Sequence, residues 1–110
     1  MPQMPRISDS EWLVMKVLWA KSPATTTRVL EELEPTTHWK LKTVLTLLNR
    51  LVKKGAVGYD KEGRAYQYYP LVEEKECARA ENRTFLERVY SGSLAPMLAN
   101  FFEEAKLYPK

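Results

Sequence analysis

The segment from Lys40 to Pro70 most limits how this chain folds. Its first half, Lys40 to Lys54, contains neither glycine nor proline and stops at Gly55. That is the pattern of one helix closed by a C-terminal glycine. At about 100° per residue, Leu41, Val44, Leu48, Leu51 and Val52 gather on one face. The other face collects Lys42, Thr43, Thr46, Asn49, Arg50 and Lys53: cations, hydroxyls and an amide, with no acid. In the second half, Ala56–Asp60 and Arg64–Pro70 flank Lys61-Glu62-Gly63, with aromatic residues in alternate positions. Such alternation about a glycine-containing turn predicts a β-hairpin, and Pro70 suits the end of an edge strand.

Two helices are expected before this segment. Ser8-Asp9-Ser10-Glu11 has the spacing of a capping box, opening a helix over Glu11–Ala20. Trp12, Leu13, Val14, Met15, Val17, Leu18 and Trp19 make its apolar surface wide enough to need cover on most sides, and Lys21-Ser22-Pro23 ends it. A second helix follows Ala24-Thr25, capped by Thr25 or Thr26, with Val29, Leu30 and Leu33 inward and Glu31, Glu32 and Glu34 in solvent. Pro35 is expected to terminate it. Beyond the hairpin, Glu73–Tyr90 reads as a helix with acids in its first turn and Phe85, Leu86 and Val89 as apolar marks. Ser91-Gly92-Ser93 breaks it. A last helix runs from Leu94 to Lys106, with Pro96 in its first turn. Leu94, Met97, Leu98, Phe101, Phe102 and Ala105 form its stripe.

Three helices and then a hairpin is the order of a winged helix-turn-helix. The fold expected is therefore mostly α (α+β): a winged helix-turn-helix domain over residues 1–72, followed by a short helical dimerisation module over residues 73–110. The length of 110 residues suits one small domain plus such a module. No apolar run exceeds four residues, far below the roughly 20 that span a bilayer, so no membrane insertion is expected. Met1–Arg6 lacks the apolar core of a secretion signal. One cysteine, Cys77, and one histidine, His38, allow neither an intramolecular disulfide nor a Cys/His zinc cage. We therefore expect no metal, no cofactor and a reducing, cytoplasmic setting. GxGxxG, Walker and GxSxG motifs are all missing from the sequence, as is any nucleophile–base spacing, so an enzyme is not expected.

The net charge of +3 is unevenly spread. Residues 1–72 carry 11 Lys or Arg and 7 Asp or Glu, whereas residues 73–110 carry 6 and 7. Within residues 38–64 there are seven bases and only two acids, Asp60 and Glu62. The excess sits on the third helix and the hairpin. In this fold these are the elements that enter the DNA major groove and touch the flanking backbone, where phosphates need neutralising.

Several stretches resemble the penicillinase-repressor family (BlaI/MecI, with the copper-responsive CopY branch). They are Ile7-Ser8-Asp9-Ser10-Glu11-Trp12, Val14-Met15-Lys16-Val17-Leu18-Trp19, Thr43-Val44, the run Thr46 to Gly55, and Gly63-Arg64-Ala65-Tyr66-Gln67-Tyr68. The likeness extends from Ile7 to Lys106. It implies a homodimeric transcriptional repressor on a palindromic double-stranded DNA operator, dimerised by its C-terminal helices. By the same resemblance, Lys42 and Arg50 serve phosphates or guanine edges, and Thr43 and Thr46 meet phosphate oxygens or a thymine methyl. Asn49 shares their face; Lys53, Lys54 and Arg64 hold the backbone, and Arg28 is a weaker phosphate contact. Phe85, Val89, Leu94, Met97, Leu98, Phe101 and Phe102 are the expected dimer residues, because a small monomer rarely exposes so much apolar surface.

In the antibiotic-responsive branch of that family, induction cuts an Asn-Phe bond. The matching pair here is Asn100-Phe101, which implies a membrane-anchored sensor protease as a further partner. The paired C-terminal cysteines of the copper branch have no counterpart; Cys77 is read as a small packed residue and His38 as a capping or packing one. Two positions depart from the family. Leu45 stands where a base is frequent, and Lys40 where a serine often caps the third helix, leaving Thr37 or a shifted start to supply the cap. The sequence stops at Leu107-Tyr108-Pro109-Lys110, short of the acidic helix that usually follows, as in a shortened module or a truncated chain. Leu45 and this short tail motivate the alternative, a winged-helix protein-interaction module without sequence-specific DNA binding.

Overall fold

The computed structural model describes residues 4–107. In chain order the elements are α1 (Asp9–Lys21), α2 (Thr26–Thr37), α3 (Leu41–Lys53), β1 (Val57–Glu62), β2 (Ala65–Pro70), α4 (Glu74–Tyr90) and α5 (Leu94–Leu107). They form two packed units, divided in sequence between Glu74 and Lys75.

In the first unit, α1 starts on the expected capping box. The Glu11 amide donates to Ser8 Oγ at 3.2 Å and the Ser8 amide to Glu11 Oε1 at 2.8 Å. Val14, Met15 and Leu18 are fully buried, but the cover is narrower than the sequence suggests, since Leu13 is exposed and Trp12, Val17 and Trp19 are half-buried. The tryptophans line an edge instead of the core. Their rings lie 5.4 Å apart, and the Trp19 indole donates to the Val72 carbonyl at 2.9 Å, which requires a site near polar backbone.

Thr25 caps α2, its hydroxyl accepting from the Arg28 amide at 3.1 Å. The helix does not end at Pro35; it continues to Thr37. Pro35 has no amide to give the Glu31 carbonyl, and the turn after it is closed by other means. Thr37 Oγ1 donates to the Leu33 carbonyl at 2.9 Å, and the His38 amide to the Glu34 carbonyl at 2.9 Å. His38 itself takes the left-handed conformation, φ 59°, that stops the helix.

α3 buries Val44, Leu47, Leu48 and Leu51. This corrects the face drawn from the sequence: Leu47 joins it, Leu41 is exposed and Val52 is half-buried. The four buried positions follow i, i+3, i+4, i+7, centred on where α1, α2 and β1 press against α3. At its end, the Ala56 amide donates to the Leu51 carbonyl and the Gly55 amide to the Val52 carbonyl, both at 3.0 Å. This is a Schellman closure, with Gly55 at φ 80° and the apolar contact supplied by buried Leu51 and Ala56.

β1 and β2 pair antiparallel, with Val57 opposite Pro70, Tyr59 opposite Tyr68 and Glu62 opposite Ala65. The connection is Gly63-Arg64, one step later than the Lys61-Glu62-Gly63 turn expected, with Gly63 at φ 62°. Glycine in the first central position is what a two-residue type II′ turn demands. The hairpin gains a third edge the sequence did not announce. Ala24 bridges Tyr68, its amide donating to the Tyr68 carbonyl at 3.0 Å and its carbonyl accepting from the Tyr68 amide at 2.8 Å. Tyr68 is thereby buried and the wing is tied to the α1–α2 connection.

The second unit holds α5 and all of α4 after its first residue. Between them Ser91 (φ 50°) and Gly92 (φ 82°) reverse the chain, and the Ser93 amide donates to the Tyr90 carbonyl at 2.9 Å. Among the described residues no helix is long and apolar enough to cross a membrane.

Candidate nucleic-acid interface

Once Val44, Leu47, Leu48 and Leu51 face inward, the opposite side of α3 must face solvent. Lys42, Thr43, Thr46, Asn49, Arg50 and Lys53 are all exposed there. Lys42, Thr43, Thr46 and Arg50 line one shallow groove together with Ser8, Ser10 and Trp39. Asn49 and Lys53 lie outside that lining, further round the helix. Among the described residues no carboxylate pairs with Lys42, Arg50 or Lys53. Three cations therefore stand beside hydroxyl and amide donors with their charge unspent, an arrangement that attracts phosphate oxygens.

Ser8 and Ser10 were not anticipated as site residues. They sit at the start of α1, whose first turn also carries Asp9 and Glu11 and whose Ser8 and Glu11 amides are engaged in the capping box. Their motif was readable as a cap; its place beside α3 depends on how the helices cross.

Hydrogen bonding separates the two threonines. Thr46 Oγ1 donates to the Lys42 carbonyl at 2.9 Å. Its hydroxyl is thus engaged within the helix. The start of α3 at Lys40 has no side-chain cap. Thr37 does not supply one, since its oxygen accepts from the Trp39 amide at 3.2 Å while donating to Leu33.

The remaining expected contacts divide. Arg64 sits exposed at the turn of the wing, and Lys61 lies 5.9 Å from the centre of the Tyr66 ring. Arg28 is exposed, with Nε 3.6 Å from Glu32 Oε2. Lys54 is committed elsewhere: its ammonium donates to the Glu11 carboxylate and, at 2.7 Å, to the Arg6 carbonyl. Burial alone pushes the Glu11 carboxyl up, but the Lys54 and Ser8 hydrogen bonds and the Lys54 charge together hold it below the ordinary value of 4.5. Lys54 thus joins the start of α1 to the end of α3.

Within the second unit, Phe85, Leu86, Leu94, Met97 and Phe101 line an apolar hollow with Asn82 and Arg83 at its rim. Val89, Leu98 and Phe102 are exposed outside it. Asn100 and Phe101 are exposed inside α5, and Asn100 Nδ2 donates to Tyr90 Oη at 3.0 Å. Cys77 is buried, and that burial, followed by the nearby Glu76 charge, raises its thiol above the ordinary value. A buried, protonated thiol is a packing group.

Comparison with known proteins agrees with this geometry. The sequence model described as penicillinase repressor matches residues 7–110. A penicillinase repressor of Bacillus licheniformis is 43% identical over 107 residues, covering 97% of this chain and 84% of that protein. The solved DNA-binding domain of the repressor BlaI superposes with a TM-score of 0.61 at 46% identity, over 69% of this chain and 93% of that one. Monomeric BlaI from Bacillus licheniformis, solved in complex with the blaP half-operator, gives a TM-score of 0.59 at the same identity and coverage. The described fold is accordingly a mostly helical winged helix with one small antiparallel sheet, and the chain belongs to the penicillinase repressor family, a family of transcriptional repressors and not of enzymes.

Proposed function

We propose that this chain represses transcription by occupying a palindromic DNA operator as a homodimer. The observation that carries the reading is the exposed, acid-free face of α3, with Lys42, Arg50 and Lys53 unpaired among the described residues. In this reading α3 enters the major groove. Lys42 and Arg50 meet phosphates or guanine edges, Thr43 donates to phosphate, and Thr46 offers its methyl group to thymine. Asn49 and Lys53 follow the same groove, and Arg64 holds the neighbouring backbone. Arg28 is a secondary phosphate contact, shared with Glu32. Phe85, Val89, Leu94, Met97, Leu98, Phe101 and Phe102 form the contact between two copies, whose two recognition helices match the two halves of the operator.

Relief of repression is proposed to follow cleavage of Asn100-Phe101 by a membrane-anchored sensor protease. The bond lies within α5, so cutting it requires a local opening of that helix. The exposure of both residues supports this order of events.

A gel-shift titration of the full chain against the promoter of its own operon tests the reading. Tight, salt-sensitive binding is expected. If no fragment is bound at low salt, the protein-interaction reading replaces it.

A further inference from the structure

Leu45 lies on the solvent side of α3, 42% exposed, between Lys42 and Asn49. Leu41, one turn earlier on the same flank, is 47% exposed. Neither belongs to the core, which α3 fills with Val44, Leu47, Leu48 and Leu51. A single exposed leucine is ordinary. Two at i and i+4 form an apolar strip along one margin of the buried face, in line with half-buried Val52 and bordered on the solvent side by Lys42 and Asn49. The charge beside Leu45 selects the occupant: no acid lies on α3, and Glu34 of α2 lines a hollow with Leu41 but not with Leu45. A polyanion that also carries apolar groups on its readable edge fits both features. In the major groove that group is the thymine C5-methyl.

We infer that Leu45 is a specificity-determining residue that packs on a thymine methyl, with Leu41 widening the apolar strip. The inference rests on the DNA-binding reading and adds to it a contact that no charge supplies. The strip predicts a preference for thymine, not guanine, at the base pairs facing Leu45.

The test begins with duplexes selected by the full chain from a random DNA pool. Each thymine of the selected duplex is then replaced singly by deoxyuridine, which removes the methyl and leaves the pairing edge unchanged. With the unaltered chain, at least one replacement in each half-site should weaken binding about fourfold, the worth of one buried methyl. With Leu45→Ser that penalty should vanish at that position while penalties elsewhere persist. Equal penalties in both proteins, or no penalty anywhere, overturn the inference and leave DNA binding standing. A Leu45→Ser chain that folds poorly weakens binding to every duplex alike and leaves the ratio between thymine and deoxyuridine duplexes readable; a penalty kept in that ratio counts against the inference. If no duplex is selected, the inference falls together with the DNA-binding reading.

Discussion

Glu11 is a carboxylate with almost no exposure, and it stays charged because Lys54 and Ser8 reach it. The two ends of that ion pair are not equivalent. Lys54 keeps about a third of its side chain in water, whereas Glu11 keeps almost none. Removing the lysine strands a buried charge; removing the carboxylate releases a lysine that solvent can receive. Lys54→Met should therefore cost about 1–3 kcal/mol near neutral pH, less than a fully buried pair because water screens the lysine end. Glu11→Gln should cost less than Lys54→Met, and urea unfolding of both variants measures the order. The pH dependence has a definite sign. The folded-state carboxyl lies below its ordinary value of 4.5, so its contribution is complete above that value and is lost as pH falls through the folded value. Acidification should destabilise the native chain through that window, and Glu11→Gln should remove that component. Arg50 belongs to the same scale: Arg50→Ala should cost about 1–3 kcal/mol of operator binding if its guanidinium reads a base, and mainly flatten the salt dependence if it holds phosphate.

At the scale of elements, α3 shows both what could be read in the sequence and what could not. Its C-terminus was legible because Gly55 answers a local backbone need, and the structure returns φ 80° there. Nothing lies within 4 Å of where a Gly55 Cβ would project, so Gly55→Ala should cost only the backbone strain, about 1–2 kcal/mol in thermal unfolding. The N-terminus lacks a cap, and Lys40→Ser should stabilise the fold by roughly 1 kcal/mol. The capping box of α1 and the hairpin were legible for the same local reason. The inward angle of α3 was not. Leu41 and Leu47 exchange roles because neighbouring elements, not the helix, decide which apolar residues are covered. Pro35 misled because the bonds from Thr37 and His38 to the Leu33 and Glu34 carbonyls carry the helix past it. The Ala24 bridge to Tyr68 and the place of Ser8 and Ser10 beside α3 arise only between distant segments. Lys54 looked like its neighbour Lys53 in sequence, and only the position of Glu11 tells them apart.

At the scale of the molecule, one chain offers one recognition helix, and the apolar face of the second unit is what we propose joins two. Phe102 is the most exposed of its described aromatic residues, so a charge placed there should abolish pairing with little effect on folding. Phe102→Asp should sediment as a monomer and bind a full palindrome much more weakly, with affinity for a half-site nearly unchanged. The central claim, that the unpaired cations of α3 are there for DNA, is tested most directly by salt dependence. The measurement is the slope of log affinity against log salt for the selected duplex, with the native chain and with Lys42→Ala and Lys53→Ala. The account predicts a steep negative slope in the native chain that becomes shallower by about one for each phosphate no longer neutralised. A slope that neither substitution changes, or a chain that binds no duplex at low salt, contradicts it.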